Sequence, residues 1–239
     1  MTPVPSGTLS FTWLGHGTFL FRSPGGKRIL VDPFLEANPS CPEAFKRSVG
    51  DLDLILVTHA HDDHMGDAIP VARATGATVI SQVEIGAWLR AKGLQRLSPM
   101  NHGGTQTIGG IAITMVPAFH SSSTTEDSRR VELGTAAGFV IRFENELTIY
   151  FAGDTAVFGD MRLIGELYSP AIAFLPIGDH YTMGPTQAAK ACGLLGVKQV
   201  VPMHYGTFPV LTGTPAALRE LVEPCGVQVL ELKPGETAS

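Results

Sequence analysis

Cysteine is scarce in this 239-residue chain, and its placement narrows the chemistry. Cys41, Cys192 and Cys225 are odd in number, far apart and never spaced C-x-x-C. That excludes a disulfide framework and a thiolate metal site, and leaves reduced, mostly buried thiols. Long apolar runs are missing as well. None approaches the ~18 residues that a membrane-crossing helix needs, so no membrane span is expected. The amino terminus, MTPVPSGTLSFTW, has no basic stretch ahead of an apolar core. It predicts no secretory signal, and a cytoplasmic location is expected. Positive charge is in short supply, with 17 Lys and Arg against 22 Asp and Glu. A surface of that sign gathers neither nucleic acid nor anionic lipid, so the expected partner is a small-molecule substrate and not a nucleic acid. Pro/Ser linkers, charge runs and low-complexity segments are absent, which favours one domain over residues 1–239. A homo-oligomer is compatible with all of this and specified by none of it.

What is present begins with an apolar share of 44%, enough for a large buried core. Three short apolar runs, Leu9–Leu14, Thr18–Phe21 and Lys27–Asp32, lie between Gly-rich turns and predict an antiparallel meander. Leu52–Val57 and Ala77–Ser81 read as buried strands. Between them Met65–Thr75 is helix-like and ends on Gly76, although Pro70 permits that only for a helix that starts late or kinks. Val83–Gly93 is a further helix with a Gly stop. The second half repeats the rhythm. Strands are predicted over Ile111–Val116, Gly138–Arg142, Thr148–Phe151, Ala171–Leu175, Gln199–Val201 and Val227–Glu231, and helices over Gly159–Leu167, Pro185–Leu195 and Pro215–Val222. Meanders that give way to alternating strands and helices, twice over, predict an α/β fold: two mixed β-sheets face to face with helices on the outer faces. The polar stretch His120–Gly134 is expected to form a long loop, where site residues tend to sit.

Three of the eight histidines fall in one stretch, LVTHAHDDHMGD, directly after a branched apolar run. His59, His61, Asp63 and His64 form H-x-H-x-D-H. In extended backbone, residues two apart point the same way, so His59 and His61 can reach one metal ion as the strand ends. The chain then turns towards a helix and can carry Asp63 and His64 round to a second ion. Imidazole and carboxylate together suit zinc, manganese or iron. A polar turn with solvated or helix-capping histidines is the plainer alternative, and the density of ligand types argues against it.

H-x-H-x-D-H after a hydrophobic strand resembles the signature of the metallo-β-lactamase superfamily. The remainder of that pattern is found in order: His120 in MVPAFHSSS, Asp154 in IYFAGDT and His204 in VVPMHYGTFP. By this resemblance His59, His61 and His120 bind one metal, Asp63, His64 and His204 bind the other, and Asp154 bridges the two. WLGHGTFLF, ILVDPFLEANP, AGDTAVFGDM and PIGDHYTMGP further resemble a branch of small metal-dependent hydrolases mostly without an assigned substrate. That branch lies near the ascorbate-6-phosphate lactonases and the phospholipase D that cleaves N-acyl phosphatidylethanolamine. The resemblance spans nearly the whole chain. It implies a four-layer αββα sandwich and two divalent metal ions, Zn2+ first, with Mn2+, Fe2+ or Ni2+ as alternatives. It also implies hydrolysis of an ester, lactone or phosphodiester-type small molecule by a metal-bound hydroxide. Two cations ~3.5–4 Å apart would hold a bridging water and lower its pKa, with Asp63 orienting it.

Outside the ligands, His16 sits in a GHGT turn between early strands, where it could hold a substrate oxygen or a carboxylate behind the metal, or be a polar turn residue. Asp32 ends a strand and could accept the free N–H of a ligand histidine, or cap a turn. Asp179, His180 and Tyr181 in PIGDHYTMGP could bind substrate or protonate a leaving group. Two rivals come from other classes. One is a metal-stabilised binding protein without catalysis. The other is a di-iron redox protein on the same fold, whose pattern has a carboxylate where this chain has His61.

Overall fold

Residues 7–239 are described by a computed structural model of the chain. Two seven-stranded mixed sheets are built by the same device. In the first, β16 (Thr237–Ala238), β1 (Ser10–Trp13), β2 (Phe19–Arg22) and β3 (Arg28–Val31) pair antiparallel. β4 (Leu54–Leu56), β5 (Thr78–Gln82) and β6 (Leu97–Met100) then continue from β3 in parallel. In the second, β7 (Thr105–Ile108), β8 (Ile111–Pro117), β11 (Ala137–Arg142) and β12 (Thr148–Phe151) are antiparallel. β13 (Ile172–Pro176), β14 (Gln199–Met203) and β15 (Gln228–Val229) follow in parallel. A short helix α1 (Glu43–Arg47) lies in the connection after β3. α2 (Asp62–Met65), α3 (Ala68–Thr75) and α4 (Val83–Ala91) follow β4 and β5, and α5 (Met161–Tyr168), α6 (Pro185–Leu195) and α7 (Pro215–Val222) alternate with the parallel strands of the second sheet.

The central strands read as unbroken apolar runs because both of their faces are covered. Leu54 and Leu56 point between the sheets, whereas Ile55 and Val57 pack with residues of α2–α4. Likewise Phe174 faces the opposite sheet while Ala173 and Leu175 meet α5–α7. This is the αββα arrangement expected from the sequence. The inter-sheet layer is rich in aromatic contacts: Phe174 meets Phe11 and Phe19 edge-on at 5.1 Å each and Phe21 at 5.2 Å. Truncating a buried Phe of this kind to Ala costs about 3–5 kcal/mol. Strands of both halves are therefore held in fixed relation just before the residues that build the site.

Three local features depart from the sequence-based expectations or add to them. Met65–Thr75 is not one helix: α2 stops at Met65 and α3 starts at Ala68, which puts Pro70 in a first turn where its missing N–H costs no helical bond. His120–Gly134 is not a plain loop. β9 (Ser123–Glu126) and β10 (Arg129–Glu132) form a separate hairpin joined by Asp127 and Ser128, both in the left-handed region that two-residue hairpin turns require. Its mostly polar residues hid the alternation that would have marked it. Finally, β6 contains Pro99, which is tolerated because β6 is an edge strand.

Candidate metal centre

β1, β3, β4, β8, β12, β13 and β14 all run towards one end of the sandwich, and the chain beyond each brings a polar side chain there. His16 lies in the turn after β1, Asp32 after β3, and the H-x-H-x-D-H stretch after β4. His120 follows β8, Asp154 follows β12 and His204 follows β14. The seven sequence-predicted ligands meet at this end, although up to 145 positions separate them in the chain.

They fall into two groups. In the first, His61 Nδ1 lies 3.0 Å from His59 Nε2 and 3.2 Å from His120 Nε2. Thr58 fixes the proton inventory here. Its hydroxyl donates to Asp32 Oδ2 (2.7 Å), so its oxygen accepts from His59 Nδ1 (2.9 Å) and His59 Nε2 presents a lone pair. One proton can satisfy at most two of three converging nitrogens; a cation satisfies all three. Ligand nitrogens ~3.3 Å apart are what tetrahedral coordination at ~2.0 Å produces. Burial, with His64 beside it, holds His59 well below the ordinary imidazole pKa, and burial also lowers His61 and His120. All three are neutral donors at neutral pH.

In the second group, ligand atoms of His16, Asp63, His64 and His204 lie within 4.8 Å of one another. His16 Nε2 donates to Asp63 Oδ2 at 3.0 Å. Burial opposes charge on Asp63, yet this bond and the neighbouring His64 hold its carboxyl well below the usual carboxylate range. His16 itself is pushed down to about 4 by burial and by His204. His64 Nδ1 donates to Asp32 Oδ2 at 2.9 Å, which turns Nε2 towards the cluster. Asp32 is wholly buried and accepts also from the Thr58 backbone N–H at 2.8 Å. Of the two roles open to it, its bond to His64 matches the one behind a histidine of the cluster. Despite burial, Asp154 and Asp32 hold the His64 imidazole well above its ordinary pKa.

Asp154 joins the groups. Its Oδ2 is 3.0 Å from His204 Nε2, 3.3 Å from His64 Nε2 and 3.6 Å from His120 Nε2. Asp154 Oδ1, His64 Nε2 and His204 Nε2 are buried without hydrogen-bond partners among the described residues. Buried polar atoms in that state cost roughly 1–3 kcal/mol each unless something else satisfies them. With three carboxylates among the imidazoles, the missing partner is cationic, and the residues fit divalent metal ions.

The floor of the site is also strained. His16, Asp32 and His204 all have left-handed backbone, with φ of 56°, 50° and 55°. The His204 backbone N–H donates to the His16 carbonyl at 3.0 Å, tying a turn of one sheet to a loop of the other. Gly17 is required by contact: a Cβ there would lie 2.6 Å from His64 Cε1.

Above the floor opens a cleft of about 1030 Å3, lined by ligands of both groups, by Phe34 and Phe208, and by Arg130 and Tyr181. Asp179 and His180 are exposed and do not line it; of that triplet only Tyr181 does. Asp179 and His180 both take left-handed backbone, and this turn presents Tyr181 in their place. Thr58 and Ser121 are functional neighbours that sequence reasoning missed. Ser121 Oγ stands 3.2 Å from His61 Nε2, so each secures the ring of a first-group histidine. Their only signal was adjacency to His59 and His120.

Two facing mixed sheets with a His/Asp cluster at their shared end define a protein of the metallo-β-lactamase fold. Comparison with known proteins agrees. The beta-lactamase superfamily domain matches residues 27–205, and the chain belongs to that family. A UPF0173 metal-dependent hydrolase of Rubrobacter xylanophilus is 53% identical over 233 residues, covering 96% of each chain. A second, from Koribacter versatilis, is 52% identical and covers 97% of this chain and 98% of its own. Among solved structures, Igni18, a metallo hydrolase from Ignicoccus hospitalis, is 39% identical with a TM-score of 0.86, covering 96% of this chain and 97% of that one.

Proposed function

We propose that this metal-dependent hydrolase acts on an ester, lactone or phosphodiester-type small molecule through two divalent cations. One would be held by His59, His61 and His120, the other by Asp63, His64 and His204, with Asp154 shared. The mixture of imidazole and carboxylate suits Zn2+, and Mn2+ or Fe2+ next. The observation that carries the reading is the single Asp154 oxygen within 3.0–3.6 Å of nitrogens from both groups. When bound, the cations supply Lewis acidity and bring the pKa of a coordinated water towards neutrality.

The protein's own contribution is orientation and proton control. Thr58 and Asp32 fix the tautomers of His59 and His64, so each offers Nε2. Asp63 gives Oδ2 to His16 and keeps Oδ1 to orient water or take its proton. Burial of His64, His204 and Asp154 keeps bulk water from competing for their contacts.

The test is metal analysis followed by reconstitution. The purified chain should carry about two equivalents of metal, lose activity on chelation and regain it with Zn2+, Mn2+, Fe2+ or Ni2+, across a panel of esters, lactones and phosphodiesters. Undiminished turnover after chelation would overturn the reading. A fully metallated chain inert to the panel would favour the binding-protein rival, and stoichiometric redox-active iron without hydrolysis the di-iron one.

A further inference from the structure

The cleft over the metal centre is chemically lopsided. Apart from histidine, its charged lining is acidic with one exception, Arg130. Three of the acids have internal partners: Asp62 accepts from Thr124 Oγ1 at 2.7 Å, Asp63 from His16, and Asp67 from the backbone N–H groups of Leu35 and Glu36, whereas the exposed Glu36 carboxylate has none among the described residues. The Arg130 guanidinium has no hydrogen-bond or ion-pair partner among the described residues. Arg130 is exposed, so its guanidinium can meet an occupant of the cleft without breaking a contact of the fold.

The β9–β10 hairpin explains how it is held. Directly paired residues share a face, so Thr124, Glu126, Arg129 and Val131 lie on one side and Thr125 and Arg130 on the other. The first side is fastened down. Glu126 accepts from Trp88 Nε1 of α4 at 3.0 Å and from Lys92 just beyond that helix, and Val131 packs on the outer core. Arg130 is therefore presented on the face that is not fastened, where it lines the cleft. The strand before it begins two residues after Ser121, whose hydroxyl touches His61. Arg130 thus belongs to the first-group end of the cleft.

The opposite end is aromatic. Phe34 and Phe208 set their rings 5.6 and 5.5 Å from that of His16, which lies tilted against His204 at 3.9 Å. These rings belong to the second-group end and offer apolar surface to an occupant.

Building on the hydrolytic reading above, we propose that the substrate is amphiphilic. Its oxyanionic group, carboxylate or phosphoryl, is engaged by Arg130 beside His61, and its apolar group rests on Phe34 and Phe208, with the scissile bond between. A guanidinium fork suits either oxyanion because both offer two oxygens in one plane.

The test is binding to the metallated protein, read by calorimetry, so that it does not depend on turnover. The probes are 4-phenylbutyrate, 3-phenylpropylphosphonate and the neutral 4-phenylbutan-1-ol. The wild-type chain should bind at least one anion about tenfold or more tightly than the alcohol. Whichever anion is preferred identifies the oxyanion. Arg130→Ala should erase that preference, Arg130→Lys should restore part of it, and Phe208→Ala should weaken anion and alcohol alike. Wild-type affinity that ignores charge, or a preference that survives in Arg130→Ala, would overturn the proposal. If Arg130→Ala does not fold, as judged by circular dichroism, Arg130→Gln replaces it under the same criteria. Failure of the hydrolytic reading would show separately, as a metallated chain that binds these probes with the expected preference yet cleaves nothing.

Discussion

The two candidate ligand groups meet at one carboxylate, Asp154, yet differ in kind. The first is three imidazoles, with His61 and His120 half-buried and lining the cleft. The second mixes a carboxylate with imidazoles, and its histidines are buried, with the His64 ring proton assigned by Asp32 behind it. The difference suggests a division of labour. Neutral, accessible nitrogens would leave a cation able to exchange ligands with a substrate, whereas a buried, anionic setting would hold its cation hard.

The largest effect should come from removing what the groups share. Asp154→Ala is expected to deplete both metals and to lower kcat/KM by about a thousandfold or more, measured with elemental analysis on the same sample. Retention of two equivalents would mean that the groups are independent. Next comes separation. His61→Ala should leave about one equivalent, held by the buried group, and His204→Ala should spare the first group's metal. Identical metal contents and affinities in the two variants would erase the distinction drawn above.

A smaller effect is expected behind the ligands. Asp32→Asn keeps the shape but cannot accept the His64 proton as a charged partner, so second-group affinity should fall about 10–100-fold in a competition titration. Thr58→Val should weaken the first group by about tenfold or less.

Acidification provides the finest comparison. The His64 pKa is raised, so a proton competes with metal there even above the ordinary value of 6.5. The His59, His61 and His120 pKa values are lowered, so protons compete there only further into acid. As pH falls, metal should therefore leave in two steps, the second group first. A single step, or the reverse order in the His204→Ala and His61→Ala backgrounds, would contradict this.

Much of this candidate site was legible in the chain because the predicted ligands follow apolar strands. A strand that ends in a fixed place delivers the next residues to a fixed place, and His59, His61, His120, Asp154 and His204 all obey that rule. Asp32 was legible for the same reason, although its partner was not, since nothing local ties position 32 to His64. The β9–β10 hairpin was hidden because a polar ribbon lying on a helix lacks apolar–polar alternation. Asp179 and His180 misled because polarity at a strand end says nothing about which way a turn faces. Only the left-handed backbone at both residues decides that, and it swings Tyr181 to the cleft.

The strained turns at His16, Asp32 and His204 also constrain how such an enzyme can diversify. Left-handed backbone disfavours β-branched replacements at these positions, and Gly17 leaves no room for even a methyl group against His64. New specificities must therefore be recruited from the ribbon and aromatic walls above. A mutagenesis library spread over Arg130, Tyr181 and Phe208 should yield far more viable clones than one of equal size aimed at the basement.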